Sequence, residues 1–349
     1  MQGTGEANRF KGVKRKALNV TAEEMVKTSY LEAGSDFPLV MEAGIKGVNL
    51  SQWAAGNRER VERELLRHGA ILFRGFNVGS VEQFEEFAKA ISHELLDYKE
   101  RAAPRKEVGK NIYTSTEFPA DQHIPLHHEM SYSHNWPTKI WFYCMNPADE
   151  GGATPIAADR KVFERIAPEI KEIFMRKKVM YVRNYGDGLD LSWQDVFQTT
   201  EKAKVEAYCR EAHTLFEWKS GNRLKTTQVR QAVATHPKTG ETVWFNHAHM
   251  FHLSNLESNV RESLLSEFKD DLPRNAYYGD GTPIETAVLD EIRRIYREEA
   301  VIFPWAKGDI LMLDNFLASH GRHPFAGPRK IVVAMAELYT NKEIFQSEE

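Results

Sequence analysis

The stretch Ile124-Pro-Leu-His-His-Glu-Met-Ser-Tyr132 carries the densest set of groups able to do chemistry. On a β-strand, residues i and i+2 share a face, so His127 and Glu129 can reach one metal ion together. The neighbouring register would pair His128 with Met130, a poor donor for a hard divalent ion, so His128 is expected to face away. A lone His-x-Glu is a weak signal, and a third donor strengthens it. Gly308-Asp-Ile-Leu-Met-Leu-Asp-Asn315 reads as a strand that leads into a loop carrying His320. His320 is preferred over His323, because Pro324 turns the chain directly after the latter. Two histidines and one carboxylate form the facial triad of non-haem Fe(II) oxygenases, which leaves three coordination positions for co-substrate and O2.

Charge counting supplies a second test. Fe(II) bound by one glutamate keeps a positive charge, and a bound 2-oxo diacid brings two negative ones, so its far carboxylate needs a cation. Arginine matches a carboxylate bidentately. Arg329 stands nine residues past His320, at the head of the apolar run Ile331–Met335, where an ordinary surface ion pair is the plain alternative.

The elements that must position these groups follow from periodicity. Ser51–His68 has helical spacing and ends at Gly69; Ile71–Phe73 follows as a short strand. Ser80 with Gln83 reads as a capping box ahead of the apolar stripe Phe84, Phe87, Ala88 and Ile91. Beyond Asn111 come β-prone runs at 111–116, 139–144, 179–182, 241–245, 310–313 and 330–337. Helical patterns interrupt them, one capped by Asp159, one starting at Thr200, one over Pro283–Glu299. Widely spaced strands with inserted helices predict a mainly β, α+β fold: a double-stranded β-helix, or jelly roll, with outer helices. The chain reads as a single domain over 1–349, with a flexible tail at 1–20 and a lid or insertion at 184–230.

Composition narrows the class. The 349 residues are 42% hydrophobic and 28% charged, which excludes wholesale disorder. A net charge of −4 argues against a nucleic-acid binder, and two cysteines rule out a disulfide scaffold. With no apolar leader or spanning segment, a soluble, cytoplasmic protein without a membrane partner is expected. Phosphate-loop, dinucleotide and G-x-S-x-G signatures are absent, and H-E-x-x-H fails because its last position is Tyr132. Of 13 histidines, nine cluster at 123–134, 247–252 and 320–323, but clustering alone chooses none of them.

At these residues the sequence resembles the taurine dioxygenase / clavaminate synthase superfamily of Fe(II)- and 2-oxoglutarate-dependent oxygenases. The resemblance runs from about Gly69 to Leu338. It is carried by Ile71-Leu-Phe-Arg-Gly-Phe76, Tyr113-Thr-Ser-Thr-Glu117, Leu126-His-His-Glu129, Gly151-Gly-Ala-Thr154, His236-Pro-Lys-Thr-Gly240, Trp244-Phe-Asn246 and Asp314-Asn315 with His320-Gly-Arg322 and Arg329. Glutamate in place of the commoner aspartate is similar to clavaminate synthase and to the amino-acid β-hydroxylases of nonribosomal peptide clusters, such as the syringomycin one.

The resemblance implies that His127, Glu129 and His320 hold Fe(II), that Arg329 receives the C5 carboxylate of 2-oxoglutarate, and that Thr154 adds a hydrogen bond to it. It implies C–H hydroxylation of a small amino-acid-like substrate, free or presented by a carrier protein, with 2-oxoglutarate and O2 converted to succinate and CO2. Desaturation, epoxidation and cyclisation share this chemistry; an intact carboxylate ligand argues against halogenation. Many relatives carry a second arginine four residues after the first, for an acidic substrate group. Here it is Val333, which argues against a taurine-like sulfonate. His123 stands where a substrate-contacting asparagine is common, and Tyr132, Trp193, Asn246 and His249 are substrate candidates by proximity to family motifs, with core packing as the alternative for each. A non-oxidative metal enzyme or a non-catalytic binding barrel are the competing classes, and neither needs a 2-oxoacid pocket.

Overall fold

Alternation along one long strand, Asn135–Asn146, divides the molecule. Trp141 and Tyr143 pack on one side with Phe84, Phe87 and Ile91 of the helix Val81–Ile91. Ile140, Phe142 and Cys144 pack on the other side, with Ile156, Phe245 and Ala318. One face of the central sheet is therefore covered by helices, and the other looks into the half of the molecule that carries the histidines. The computed structural model describes residues 25–97, 105–115, 118–186, 191–269 and 271–341; the expected tail at 1–20 lies outside them.

The first strands are β1 (Val26–Tyr30), β2 (Leu39–Ala43) and β3 (Ala70–Arg74). Next come β4 (Glu107–Gly109), β5 (Ile112–Thr114), β6 (Ile124–His127), β7 (Asn135–Asn146), β8 (Glu150–Gly151) and β9 (Ile156–Ala158). The middle of the chain supplies β10 (Val179–Tyr185), β11 (Leu215–Lys219), β12 (Arg223–Arg230), β13 (Val233–Thr235), β14 (Thr242–Trp244) and β15 (Arg274–Tyr278). The last strands are β16 (Ile310–Asp314), β17 (Ala318–Arg322), β18 (Phe325–Ala326) and β19 (Lys330–Thr340). An eight-stranded sheet runs β1-β2-β3-β16-β7-β19-β5-β4, and a three-stranded sheet runs β6-β17-β9 against its inner face. The result is a mixed α+β architecture in which most ladders are antiparallel and β2–β3 is parallel. No helix among the described residues is long and apolar enough to cross a membrane.

Local signals act largely as expected. Gly69 takes a left-handed conformation that ends the helix Arg58–His68, and Ser80 caps its helix by accepting from the Gln83 amide. Three details differ. The helix expected over 51–68 breaks at Asn57 into two. Asp159 caps nothing; it is fully buried and turns inward to His128. His320 lies on β17 rather than in a loop, because Ala318–Arg322 is held as a strand by β6 and β9 on its two sides despite poor intrinsic β-propensity. The 184–230 stretch contributes the β11–β12 hairpin, a turn of helix at Trp193–Phe197 and a helix at Lys202–Glu211, around a small core of Trp193, Val196, Val205, Cys209 and Leu224.

Gly321 is required by close approach. A Cβ there would stand 2.6 Å from the Ile124 carbonyl oxygen across the β6–β17 pair. Gly321→Ala is expected to cost about 1–3 kcal/mol in a urea melt. It should also weaken divalent-metal binding, because it pries apart the two strands that carry His127 and His320; an unchanged metal titration would show that the spacing does not matter.

Candidate metal centre

Strand register builds the centre. In the β6–β17 ladder His320 lies directly opposite His127, and the two imidazole centroids are 4.6 Å apart. Glu129 follows two residues after the end of β6, in a turn where Met130 has φ of 60°. The turn keeps Glu129 on the side of His127, as strand parity would, and its Oε2 comes within 3.8 Å of His320 Nε2. One donor atom from each of His127, Glu129 and His320 lies within 4.8 Å of the others. These are two nitrogens and a carboxylate oxygen, a donor set that suits Fe(II).

Protonation favours the same use. His127 Nδ1 is 2.8 Å from the Pro125 carbonyl, which can only accept, so this nitrogen carries the proton and Nε2 keeps its lone pair. Burial pushes the pKa of His127 down, and that of His320 far down, where the neighbouring His127 adds to the effect. Both rings are neutral at physiological pH, the form that binds metal.

A set of buried polar contacts fixes the backbone around these donors. Asn315 Oδ1 accepts from the Glu129 amide at 2.8 Å, while its Nδ2 donates to the carbonyls of Glu129 and Pro137. Asp314 accepts from the amides of Phe316 and Leu317 and pairs with His236 at 3.0 Å. His128 faces away from the other two, with Nε2 3.1 Å from Asp159, whose second oxygen accepts from the Tyr296 hydroxyl. Arg105, which no sequence motif singled out, donates to Glu129 Oε2 at 2.7 Å and is only 6% exposed. Its lone position before the motif gave no signal.

A cavity opens beside the centre, lined by His127 and His320 and also by Arg105, Arg322, Arg329 and Thr154. Arg329 donates to the Gly152 carbonyl, to Thr154 Oγ1 and to Ser115 Oγ, and Trp305 donates to the same Thr154 oxygen. Among the described residues no carboxylate pairs with Arg329. Burial lowers its pKa to about 10, so it stays charged at neutral pH.

The substrate candidates fall in several places. His123 sits exposed against His323, with ring centroids 5.4 Å apart, next to Ile124 on the cavity wall. Tyr132 is buried between Phe251 and His247, and His247 packs edge-on against His127 at 5.4 Å. His249 donates from Nε2 to the Leu126 carbonyl at 2.8 Å and stacks on Tyr296; burial drives its pKa to about 3. It therefore braces β6 from behind. Asn246 spends its amide on the Ala232 carbonyl and the Ala248 amide. Trp193 packs against Trp218 and donates to the Asn222 carbonyl, within the separate core of the 184–230 stretch. Neither Asn246 nor Trp193 lines the cavity.

Comparison with known proteins gives the family. The family model for the taurine catabolism dioxygenase TauD, TfdA family matches residues 34–335, and the chain belongs to that family. It is a non-haem Fe(II)- and 2-oxoglutarate-dependent dioxygenase. The chain is 42% identical over 285 residues to the dapdiamide synthesis protein DdaC of Enterobacter agglomerans, covering 81% of this chain and 87% of that protein. It is 33% identical to a clavaminate synthase-like protein of Arabidopsis thaliana, over 77% of this chain and 82% of the relative. Among solved structures, PvcB of Pseudomonas aeruginosa shares the fold with a TM-score of 0.54 at 15% identity, over 97% of this chain and 98% of that one. AAD-2, solved with Mn(II) and N-oxalylglycine, shares it with a TM-score of 0.53 at 14% identity, over 89% and 96%.

The Asn315 clamp has a measurable role. Asn315→Leu keeps the size but removes all three hydrogen bonds, and is expected to weaken Mn(II) or Fe(II) binding by about 10- to 100-fold in a titration. Lower thermal stability with unchanged metal affinity would make the clamp a packing feature only.

Proposed function

We propose that His127, Glu129 and His320 hold Fe(II), and that the protein oxidises an unactivated C–H bond of an amino acid or amino-acid-derived metabolite, free or carrier-tethered, most simply by hydroxylation. The observation that carries this reading is a cluster of three donors, two of which, His127 and His320, line one cavity with a half-buried arginine that has no carboxylate partner among the described residues. When bound, Fe(II) supplies O2 activation coupled to decarboxylation of 2-oxoglutarate to succinate and CO2.

Each residue then has a task. The Nδ1 proton of His127 stays on the Pro125 carbonyl, which aims Nε2 at the metal. Arg105 takes one oxygen of Glu129 and so orients the carboxylate. Arg329, braced by the Gly152 carbonyl, binds the far carboxylate of 2-oxoglutarate, and Thr154 sets the angle of its guanidinium. Phe142 packs 4.8 Å from the His320 ring and helps keep bulk water out. The facing sheets read as the jelly roll that the strand pattern predicts. A biosynthetic role is supported by the likeness to a protein named for dapdiamide synthesis and by the carboxylate being glutamate. A non-oxidative metal enzyme would leave Arg329 without a ligand.

Anaerobic titration with Fe(II) and 2-oxoglutarate, followed by absorption for the iron–oxoacid charge-transfer band and then by succinate release with O2, tests the reading. Wild type should show the band and His127→Ala should lose it. Arg329→Ala should raise the 2-oxoglutarate concentration needed by roughly a hundredfold. A wild type without the band, or a His127→Ala protein that keeps it, would falsify the assignment.

A further inference from the structure

Among the described residues three guanidinium groups line the cavity. Arg105 is set against Glu129 at 2.7 Å, so that pair cancels. On the proposed function, the far carboxylate of 2-oxoglutarate pairs with Arg329 and its chelating end faces Fe(II). Among the described lining residues Arg322 then remains with no anion assigned to it. Arg322 is 6% exposed, and all of its hydrogen bonds go to backbone carbonyls, those of Phe118, Pro119 and Gln122. Its Nε is buried and makes no hydrogen bond, and the acid that influences it is Asp121, exposed at the rim. Arg322 and Arg329 lie over the same Phe325 ring, at 5.2 and 5.4 Å from its centroid, so neither relieves the other. A cation held out of water as Arg322 is, beside a second guanidinium, is costly until an anion arrives.

The co-substrate's far carboxylate answers Arg329. Arg322 is two residues from His320 on β17 and lines the same cavity as His127 and His320. We infer that the primary substrate is an acid, and that Arg322 receives its carboxylate through the unused Nε edge. This rests on the oxygenase reading and goes beyond it by naming the substrate's charge. It also supplies what the chain lacks at Val333: the cation for an acidic substrate stands seven residues before Arg329 instead of four after it.

The test uses the Fe(II)-loaded enzyme, 2-oxoglutarate and O2, with the proteinogenic L-amino acids and their α-carboxamides as probes and succinate as the readout. Aspartate against asparagine and glutamate against glutamine cover a side-chain carboxylate. An acid that stimulates turnover should exceed its amide by about a hundredfold in kcat/KM. Arg322→Gln should erase that preference by raising the KM for the acid, Arg322→Lys should restore part of it, and the titration midpoint of the 2-oxoglutarate band should stay in place. Amides as effective as acids in wild type, or no stimulation by any acid, overturn the inference while the band still upholds the oxygenase reading. So does an Arg322→Gln effect confined to the 2-oxoglutarate midpoint, which would make Arg322 a co-substrate residue. Absence of the band in wild type would instead sink the oxygenase reading itself. Should Arg322→Gln fail to fold, the acid–amide comparison in wild type still decides.

Discussion

The pairing of β6 with β17 is the constraint on which the site depends. It sets His320 opposite His127 with ring centroids 4.6 Å apart, a separation that a slip of one residue would destroy by turning one ring to the other face. The pair is short, and the residues of β17 form strands poorly by themselves. Its position is imposed from outside: by β9 on its far edge, by the absence of a side chain at Gly321, and by His249, which holds the Leu126 carbonyl from behind. Asn315 then fixes the turn that carries Glu129 to β7 through the Pro137 carbonyl. The long strand that organises the core is in this way tied directly to the donor atoms.

Electrostatics explains why so much polar structure is buried here. A buried neutral imidazole is tolerable when one nitrogen has a partner, and His127 and His236 show how it is arranged. A buried guanidinium is a different matter, since it cannot shed its charge at neutral pH. Arg105 is answered by Glu129, but among the described residues Arg322 and Arg329 are held by backbone carbonyls and hydroxyls. These dipoles orient the groups without neutralising them, which suits residues meant to meet anions from outside.

The donor residues were legible because coordination chemistry restricts type and spacing so tightly. His-x-Glu, a distant histidine and an arginine after it single out His127, Glu129, His320 and Arg329; the fold clusters the first three, and Arg329 shares a cavity with the two histidines. The strand at 318–322 was not legible, because Ala-Ser-His-Gly-Arg has no β signature and owes its form to its two neighbours. Arg105 was hidden for a similar reason: a lone arginine in a polar stretch reads as surface, and only tertiary contact brings it to Glu129. Trp193 shows the opposite limit. It lies near motif positions in sequence, yet packs into a separate core.

The same charges link the site to the stability of the fold. Three neighbouring strands, β6, β9 and β17, surround groups that repel or lack partners until ligands arrive, so this region contributes less to folding than its burial suggests. On the proposed function a metal would be held by Glu129 and the two imidazoles, and a diacid would meet both the metal and Arg329. A ligand that binds the folded state alone raises its stability as occupancy rises. On that reading the charges favour the cation first, the chelating diacid second and the group facing Arg322 last.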